Sequence, residues 1–218
     1  LDGLYKECGI KGANGFLTEY IAEQPQYLIK VPEELRGVGV LTEPMSIATK
    51  GISQAIEFHH RSANPIQVAL VLGAGPLGLL ATAFLRVQNI NTYTMDIVPK
   101  SNLKGQLVEA VGAIYLDGNN SPVTELPHQI GNLDIVVEAT GNSTVAFQVM
   151  SVLGNKMVFG TVSSNRSHFE EAVQWLGEIE RQWPGWLSRL ITRCLTINDF
   201  ESALKPVLNG IKTVIEVV

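Results

Sequence analysis

The spacing of hydrophobic positions along the chain changes at Pro65. From there to Gly141, short apolar runs alternate with segments of helical periodicity. The run at 67–72, Gln-Val-Ala-Leu-Val-Leu, is almost continuously apolar, as expected of a parallel strand that is buried on both faces. Because strands that alternate with helices at this pitch form βαβ units, the pattern predicts an α/β fold with a doubly wound parallel sheet.

The individual elements of this region follow from the same periodicities. The predicted strands span residues 67–72, 92–96, 113–116 and 133–139. The predicted helices span residues 75–87, 100–111 and 142–150, with a short helix or turn at 123–130. A strand at 156–162 and a long amphipathic helix at 166–182 are predicted to follow.

The two flanks have a different character. Before Pro65, apolar runs on either side of Gln24-Pro25-Gln26 predict a pair of short strands, and a helix is predicted after them. After Pro184-Gly185 the pattern is weaker and predicts two strands around one helix. These flanking elements are strands at 16–21 and 27–31, a helix at 44–58, a strand at 191–195, a helix at 198–204 and a strand at 211–218.

Composition narrows the class of protein. The 218 residues are 45% hydrophobic and 17% charged, which is typical of a globular chain that buries a large core. Sixteen basic against 21 acidic residues give a net charge of −5, so we expect neither nucleic acid nor an anionic membrane as a partner. The apolar runs are too short to span a bilayer. Two cysteines without metal-site spacing, Cys8 and Cys194, fit a reducing, cytoplasmic location.

The most informative motif is a glycine-rich turn between the predicted strand 67–72 and the helix after it. Its residues match G-x-G-x-x-G, the fingerprint of dinucleotide-binding sheets. In such a turn the first glycine permits the tight bend, the second lets the backbone approach a diphosphate, and the third lets helix and strand pack closely. The alternative is an ordinary turn in a chain with 20 glycines. The motif comprises Gly73, Ala74, Gly75, Pro76, Leu77 and Gly78.

An acid follows the turn at the expected spacing. Asp96 ends the second predicted strand, about 18 residues beyond Gly78. Its carboxylate can accept hydrogen bonds from both hydroxyls of an adenosine ribose and would repel a 2′-phosphate by about 1 to 4 kcal/mol, with Lys100 near enough in sequence to weaken the repulsion. NAD is therefore expected over NADP. The alternative is a capping role for Asp96 before Pro99.

A third candidate contact to the cofactor follows the fourth predicted strand. Thr140 and Gly141 come at its carboxyl end, where an open α/β sheet binds its ligands. An ordinary loop glycine is the competing interpretation of this pair. Together with the turn and Asp96, the pair predicts a dinucleotide site along one edge of the sheet.

These residues together resemble the medium-chain dehydrogenase/reductase (zinc-type alcohol dehydrogenase) family, which has the same strand, glycine turn and acid, and a similar Glu138-Ala139-Thr140-Gly141 sequence. The flanking sequences resemble its glucose (aldose) 1-dehydrogenase branch. The resemblance covers almost the whole chain, in motifs at 7–16, 27–32, 41–46, 160–162 and 165–169.

The resemblance implies an architecture and an activity. The fold would be a Rossmann sheet at 56–165 with the remnant of a β-rich, GroES-like catalytic domain at 1–55 and 166–218. The reaction would be hydride transfer from C1 of an aldose to NAD, yielding a lactone, with zinc assistance in the full-length protein. Alternatives are a non-catalytic dinucleotide-binding protein and a related polyol or threonine dehydrogenase. A small sugar or polyol is the expected substrate, and a homo-oligomer is a possible assembly.

The resemblance also assigns two acidic residues to the active centre. Glu7, from a Glu-x-Gly-Ile motif, would contact the sugar, and Glu43, from the Glu-Pro-Met-Ser motif, would be a catalytic residue at both the zinc and the sugar. For Glu43 the alternative is stabilisation of a helix amino terminus. The family's other zinc ligands have no counterpart here, so the metal site is expected to be incomplete.

Two further departures from the family lie beyond the glycine-rich region. The family has an additional strand and crossover near Met150–Gly154, where this chain passes directly from one predicted element to the next. Ser163 stands where the branch usually has a sugar-contacting asparagine, with Asn165 two positions away. The chain is therefore expected to be an incomplete member of the branch.

Overall fold

The computed structural model describes residues 3–59, 65–153 and 157–217. Eight strands are found in these ranges: β1 Glu7–Cys8, β2 Gly12–Ala13, β3 Val68–Leu72, β4 Asn91–Asp96, β5 Ile114–Asp117, β6 Ile135–Glu138, β7 Ile191–Thr196 and β8 Lys212–Glu216. The seven α-helices there are α1 Thr42–His59, α2 Pro76–Val87, α3 Leu103–Ala110, α4 Leu126–Ile130, α5 Ser143–Val152, α6 Arg166–Gln182 and α7 Phe200–Ala203. Short 3₁₀ helices lie at Pro25–Tyr27, Glu33–Leu41, Val123–Glu125, Leu187–Leu190 and Ile197–Asp199.

Four strands form the central sheet, in the order β5-β4-β3-β6, and every pairing is parallel. From β3 the chain builds outward to β4 and β5 on one side and then to β6 on the other. This reversal opens a crevice at the carboxyl ends of β3 and β6, where ligands bind in open α/β sheets. The predicted parallel sheet is confirmed.

Side chains of β3 alternate between two hydrophobic clusters. Ala69 and Val71 pack in the cluster that contains buried residues of α1, α2, α3 and α6. Leu70 and Leu72 pack in a second cluster, with residues of α4, α5 and the 3₁₀ helix between β5 and α4. Because consecutive strand residues point to opposite faces, helices cover both sides of the sheet and the fold is doubly wound.

Helix α2 lies in the larger cluster. All residues from Gly78 to Leu85 are buried, and the helix begins with Pro76, whose missing N–H costs nothing in a first turn. The Phe84 ring meets the Trp175 ring of α6 edge to face, with centroids 4.9 Å apart. This packing holds α2 against α6.

The strands predicted before α1 are wrong. Residues 16–21 and 27–31 form no strand, and Phe16 and Tyr20 are exposed. A strand is stabilised by main-chain pairing with a neighbour, and neither segment pairs with one among the residues described. Among the described residues before α1, the two-residue strands β1 and β2 pair in parallel, and Glu7 forms an isolated antiparallel bridge with Lys11.

The strand predicted at 156–162 is also wrong over its described part. Lys156 lies outside the described residues, and residues 157–162 are irregular, with Val158 and Val162 exposed. Of the other predictions, α3 begins three residues later than expected because Asn102 caps it, with Asn102 Oδ1 accepting from Lys104 N at 3.1 Å. The predicted helix at 198–204 is confined to α7 and the 3₁₀ turn before it.

The carboxyl-terminal strands agree with the sequence pattern, and β7 pairs with β8 in parallel. The predicted domain boundary between 55 and 56 falls inside α1, and α6 packs in the same cluster as α1 and α2. The division into three segments stays a prediction. In the described ranges, no helix combines the length and apolarity needed to cross a membrane.

Candidate functional site

The glycine turn joins β3 to α2 at the crevice of the sheet. Gly73 has φ +95°, a left-handed conformation that favours glycine, and its N–H donates to Met95 O at 2.8 Å. A Cβ placed on Gly78 would lie 1.8 Å from Gly73 O. The first and third glycines of the motif are therefore required by the backbone itself.

The second glycine faces open space. A Cβ placed on Gly75 would meet no heavy atom within 4 Å, and Gly75 is the N-cap of α2 without a side-chain hydrogen bond. The first-turn amides of a helix lack intrahelical partners and carry the positive end of its dipole. The turn therefore has the space and the polarity to hold a diphosphate at this terminus.

Asp96 lies directly beside this turn. Its Oδ2 accepts from Ala74 N at 2.7 Å, and its Oδ1 accepts from Ile97 N at 2.7 Å, with Val98 N at 3.4 Å. A carboxylate has about four acceptor positions, so each oxygen can accept about one further strong hydrogen bond. The contacts to Val98 N, at 3.4 Å from Oδ1, and to Lys104 Nζ, at 3.5 Å from Oδ2, are the longer ones, so a ribose hydroxyl could replace either of them.

Two lysines follow Asp96, and they have different partners. Lys100, which the sequence placed near enough to weaken the repulsion, forms an ion pair with Glu109. Lys104 Nζ instead lies 3.5 Å from Asp96 Oδ2. Sequence reasoning missed Lys104 because the helix was predicted to begin at Lys100. Recognition of Asn102 as an N-cap would have placed Lys104 in the first turn of α3.

Tyr115 of β5 holds the loop that follows Asp96. Its hydroxyl donates to Val98 O at 2.5 Å. Burial, and then the negative charges of Asp96 and Asp117, raise the pKa of Tyr115 well above its ordinary value. The hydroxyl therefore stays protonated, and it donates to the loop throughout the physiological pH range.

Thr140 closes the other side of the turn. A Cβ on Gly73 would lie 3.2 Å from Thr140 Cγ2, so the two residues are in close proximity. Glu138 Oε1 accepts from Thr140 N at 2.7 Å and also from the Thr140 hydroxyl, which fixes the loop. Gly141 follows with φ +69° and open space around its Cβ position. The contacts thus join the glycine turn, Asp96 and Thr140 into one cradle.

The two glutamates lie elsewhere. Glu7 is half-buried in β1, and Glu43 is exposed in the first turn of α1. The cradle contacts described above include neither residue. In residues 3–59, 65–153 and 157–217, no three His, Cys, Asp or Glu side chains are grouped to hold a metal ion. The described residues therefore do not by themselves fit a zinc ion.

Asn165 has a structural role in its own helix. Its Oδ1 accepts from His168 N at 3.1 Å, and His168 Nδ1 accepts from Asn165 N at 3.1 Å, forming a capping box at the start of α6. The backbone of Ser163 is tied to α1, with its carbonyl accepting from Lys50 Nζ at 2.6 Å. The Asn165 side chain is thus engaged at the helix terminus.

The cradle residues lie within the part of the chain that is similar to known proteins. A family model described as "Glucose dehydrogenase C-terminus" matches residues 36–154 and 149–217. The two matches meet where the sequence suggested a shortfall near Met150–Gly154; residues 154–156 lie outside those the structure describes.

Several curated relatives are similar over nearly the full chain. Glucose 1-dehydrogenase of Methanocella arvoryzae is 37% identical over 244 aligned positions, covering 98% of this chain and 68% of the relative. Glucose 1-dehydrogenase 1 of Caldivirga maquilingensis is 35% identical, covering 99% of this chain and 69% of that protein. The 244 aligned positions exceed the 218 residues of the chain, so the first relative has residues that this chain lacks.

Solved structures give the same picture. Haloferax mediterranei glucose dehydrogenase in complex with NADP, Zn and gluconolactone superposes with a TM-score of 0.85 at 28% identity, covering 100% of this chain and 70% of that one. An alcohol dehydrogenase of Thermotoga maritima matches with a TM-score of 0.66 at 21% identity, over 86% of this chain and 60% of that chain. The second similarity supports the fold alone.

Proposed function

This chain belongs to the glucose dehydrogenase C-terminus family and is part of an NAD(P)-dependent oxidoreductase, and from that premise we propose that it serves the oxidation of glucose or a similar aldose at C1. In this reaction C1 gives a hydride to the oxidised nicotinamide, the C1 hydroxyl loses its proton, and the sugar becomes a lactone. The observation that carries the proposal is the cradle formed by the glycine turn and Asp96. The names of the curated relatives support the choice of glucose.

The cradle residues have separate tasks in this proposal. The first-turn amides of α2, which Gly75 leaves uncovered, bind the diphosphate. Gly73 and Gly78 permit the bend and the close packing of the helix, and Ala74, Pro76 and Leu77 complete the same turn. Asp96 accepts from the adenosine ribose hydroxyls, which replace its longer contacts to Val98 N and Lys104 Nζ. Thr140 and Gly141 border the cofactor on the opposite side. Together, these residues bind and orient the nicotinamide cofactor.

We propose that the protein binds NAD in preference to NADP. The Asp96 carboxylate disfavours a 2′-phosphate, and Ile97 and Val98, which follow it, carry no positive charge to attract one. The Haloferax relative was solved with NADP. Cofactor choice therefore needs a direct comparison of the two dinucleotides in this protein.

Glu7 and Glu43 are proposed to contact the sugar, and Glu43 is also proposed as one zinc ligand. Glu43 is exposed in the first turn of α1, so its carboxylate is free to approach a ligand outside the helix. The described residues do not complete a metal site, so further ligands must come from outside them. No step of the reaction is assigned to a metal in these residues. The three-segment domain division, 1–55, 56–165 and 166–218, belongs to the same proposal.

The test is glucose-dependent formation of NADH by the purified natural protein. Turnover with glucose, exceeding that with a polyol or threonine and abolished by a chelator, is the expected result. Gly75→Ala should weaken turnover through the cofactor alone, because it changes the cradle without touching Glu7 or Glu43. Binding of NADH without turnover of any aldose or polyol would defeat the assignment of substrate.

A further inference from the structure

The ribose subsite contains a second charge close to Asp96. Lys104 Nζ lies 3.5 Å from Asp96 Oδ2, the same oxygen that accepts from Ala74 N in the glycine turn. Only 17% of the lysine side chain and 12% of the aspartate side chain are exposed. Salt and water therefore screen this pair less than they screen an ion pair on the surface.

The position of Lys104 follows from the start of α3. Asn102 Oδ1 accepts from Lys104 N at 3.1 Å, so the cap that begins the helix also fixes the lysine backbone beside Asp96. Lys100 is four residues earlier, and its side chain is 60% exposed and paired with Glu109. Two lysines in the same short segment thus differ in whether they approach the ribose subsite.

We propose that Lys104 is a specificity-determining residue that partly neutralises Asp96 and so lets the subsite accept NADP beside NAD. The inference rests on the proposed dinucleotide function and concerns only its second cofactor. With Asp96 alone, a 2′-phosphate would meet an uncompensated negative charge. The ammonium group has three donors, so Lys104 can contact Asp96 and also donate to a phosphate oxygen.

The two cofactors respond differently to this lysine. NAD brings two neutral hydroxyls to Asp96 and needs no positive charge beside them. NADP brings a phosphate in place of one hydroxyl, and its binding energy includes attraction to Lys104. Loss of the lysine charge therefore weakens the binding of NADP and leaves the binding of NAD unchanged, so the preference for NAD increases.

The experiment measures the Kd of NADH and NADPH with the natural protein by nucleotide fluorescence. In Lys104→Met, the ratio of the NADPH Kd to the NADH Kd is expected to rise at least about fivefold, which is the lower end for one charge at this range. Lys100→Met is the matched control and should leave the ratio within about twofold, because Lys100 faces Glu109. Lys104→Arg should keep the ratio near that of the natural protein.

Each outcome bears on the proposal. An unchanged ratio in Lys104→Met, or equal weakening of both dinucleotides, overturns the assignment and leaves Lys104 with a structural role. An equal shift in Lys100→Met overturns it too, because the effect would then be general charge. If Lys104→Met unfolds, as circular dichroism would show, Lys104→Gln gives the same comparison. If the natural protein binds neither dinucleotide, the proposed function itself fails. A change in the ratio of the two Kd values in Lys104→Met tests only the role of Lys104.

Discussion

Two alanine substitutions in the glycine turn should separate folding from cofactor binding. In Gly78→Ala the new Cβ would lie 1.8 Å from Gly73 O and 2.9 Å from Gly73 C, whereas real Cβ atoms essentially never approach other atoms below 3.0 Å. Backbone must therefore move by more than about 1 Å between β3 and the buried helix α2. We expect the free energy of unfolding to fall by about 3 kcal/mol or more.

Gly75→Ala should leave the stability of the fold nearly unchanged but weaken the binding of NADH. The new Cβ would meet no heavy atom within 4 Å, and Gly75 has φ −77°, which alanine adopts without strain. Stability should change by less than about 1 kcal/mol, and the smaller freedom of the unfolded chain favours a slight gain. The methyl group would occupy the space through which the backbone approaches a diphosphate, so NADH affinity should fall at least about tenfold.

The assay combines urea unfolding with fluorescence titration of NADH for each variant. Gly37→Ala is the control, because its Cβ would also meet nothing within 4 Å but Gly37 lies in a 3₁₀ helix outside the cradle. Gly37→Ala should change neither the free energy of unfolding nor the affinity for NADH appreciably. Unaltered NADH binding by a folded Gly75→Ala protein would refute the assignment of the turn as the diphosphate site. Normal stability of Gly78→Ala would refute the close approach to Gly73.

Three further substitutions test the ribose contact of Asp96, the loop that follows it and the cap of α6. Asp96→Asn removes the charge that disfavours a 2′-phosphate, so titrations should show the affinity for NADPH relative to NADH rising about tenfold, and a fall would contradict the ribose contact. Because its pKa is raised on folding, Tyr115 stabilises the fold fully below its ordinary pKa of about 10 and less above it. In urea unfolding, the stability advantage over Tyr115→Phe should therefore shrink by about 1 kcal/mol between pH 8 and pH 11, and a constant difference would argue against the raised pKa. Asn165→Ala removes the capping acceptor of α6 and should cost about 1 kcal/mol in thermal unfolding, with no loss if the cap is unimportant.

The central sheet and its glycine turn could be predicted because their signals are local. The apolar run of β3 reports burial on both faces, and Gly73 and Gly78 at fixed spacing report a bend and a close approach that a side chain would disturb. Asp96 followed from its distance along the chain to this turn. These features need no knowledge of distant residues.

The failed predictions depended on distant partners. Residues 16–21 and 27–31 have apolar runs typical of strands, yet a strand forms only beside a neighbour, and no pattern within the segment reveals whether that neighbour exists. The contact of Lys104 with Asp96 depended on where α3 begins, and a three-residue error in that boundary turned attention to Lys100. The helices near the site were predicted to exist, but the error in where α3 begins left the site incompletely predicted.

The sheet ends at β6, which among the described strands is paired only with β3. The outer row of main-chain groups on such a strand is a template for another strand, so it favours association between copies. The net charge of −5 opposes that association through mutual repulsion at low ionic strength. Because dissolved salt shortens the range of this repulsion, the protein should stay dispersed in dilute buffer and scatter more light as sodium chloride is added.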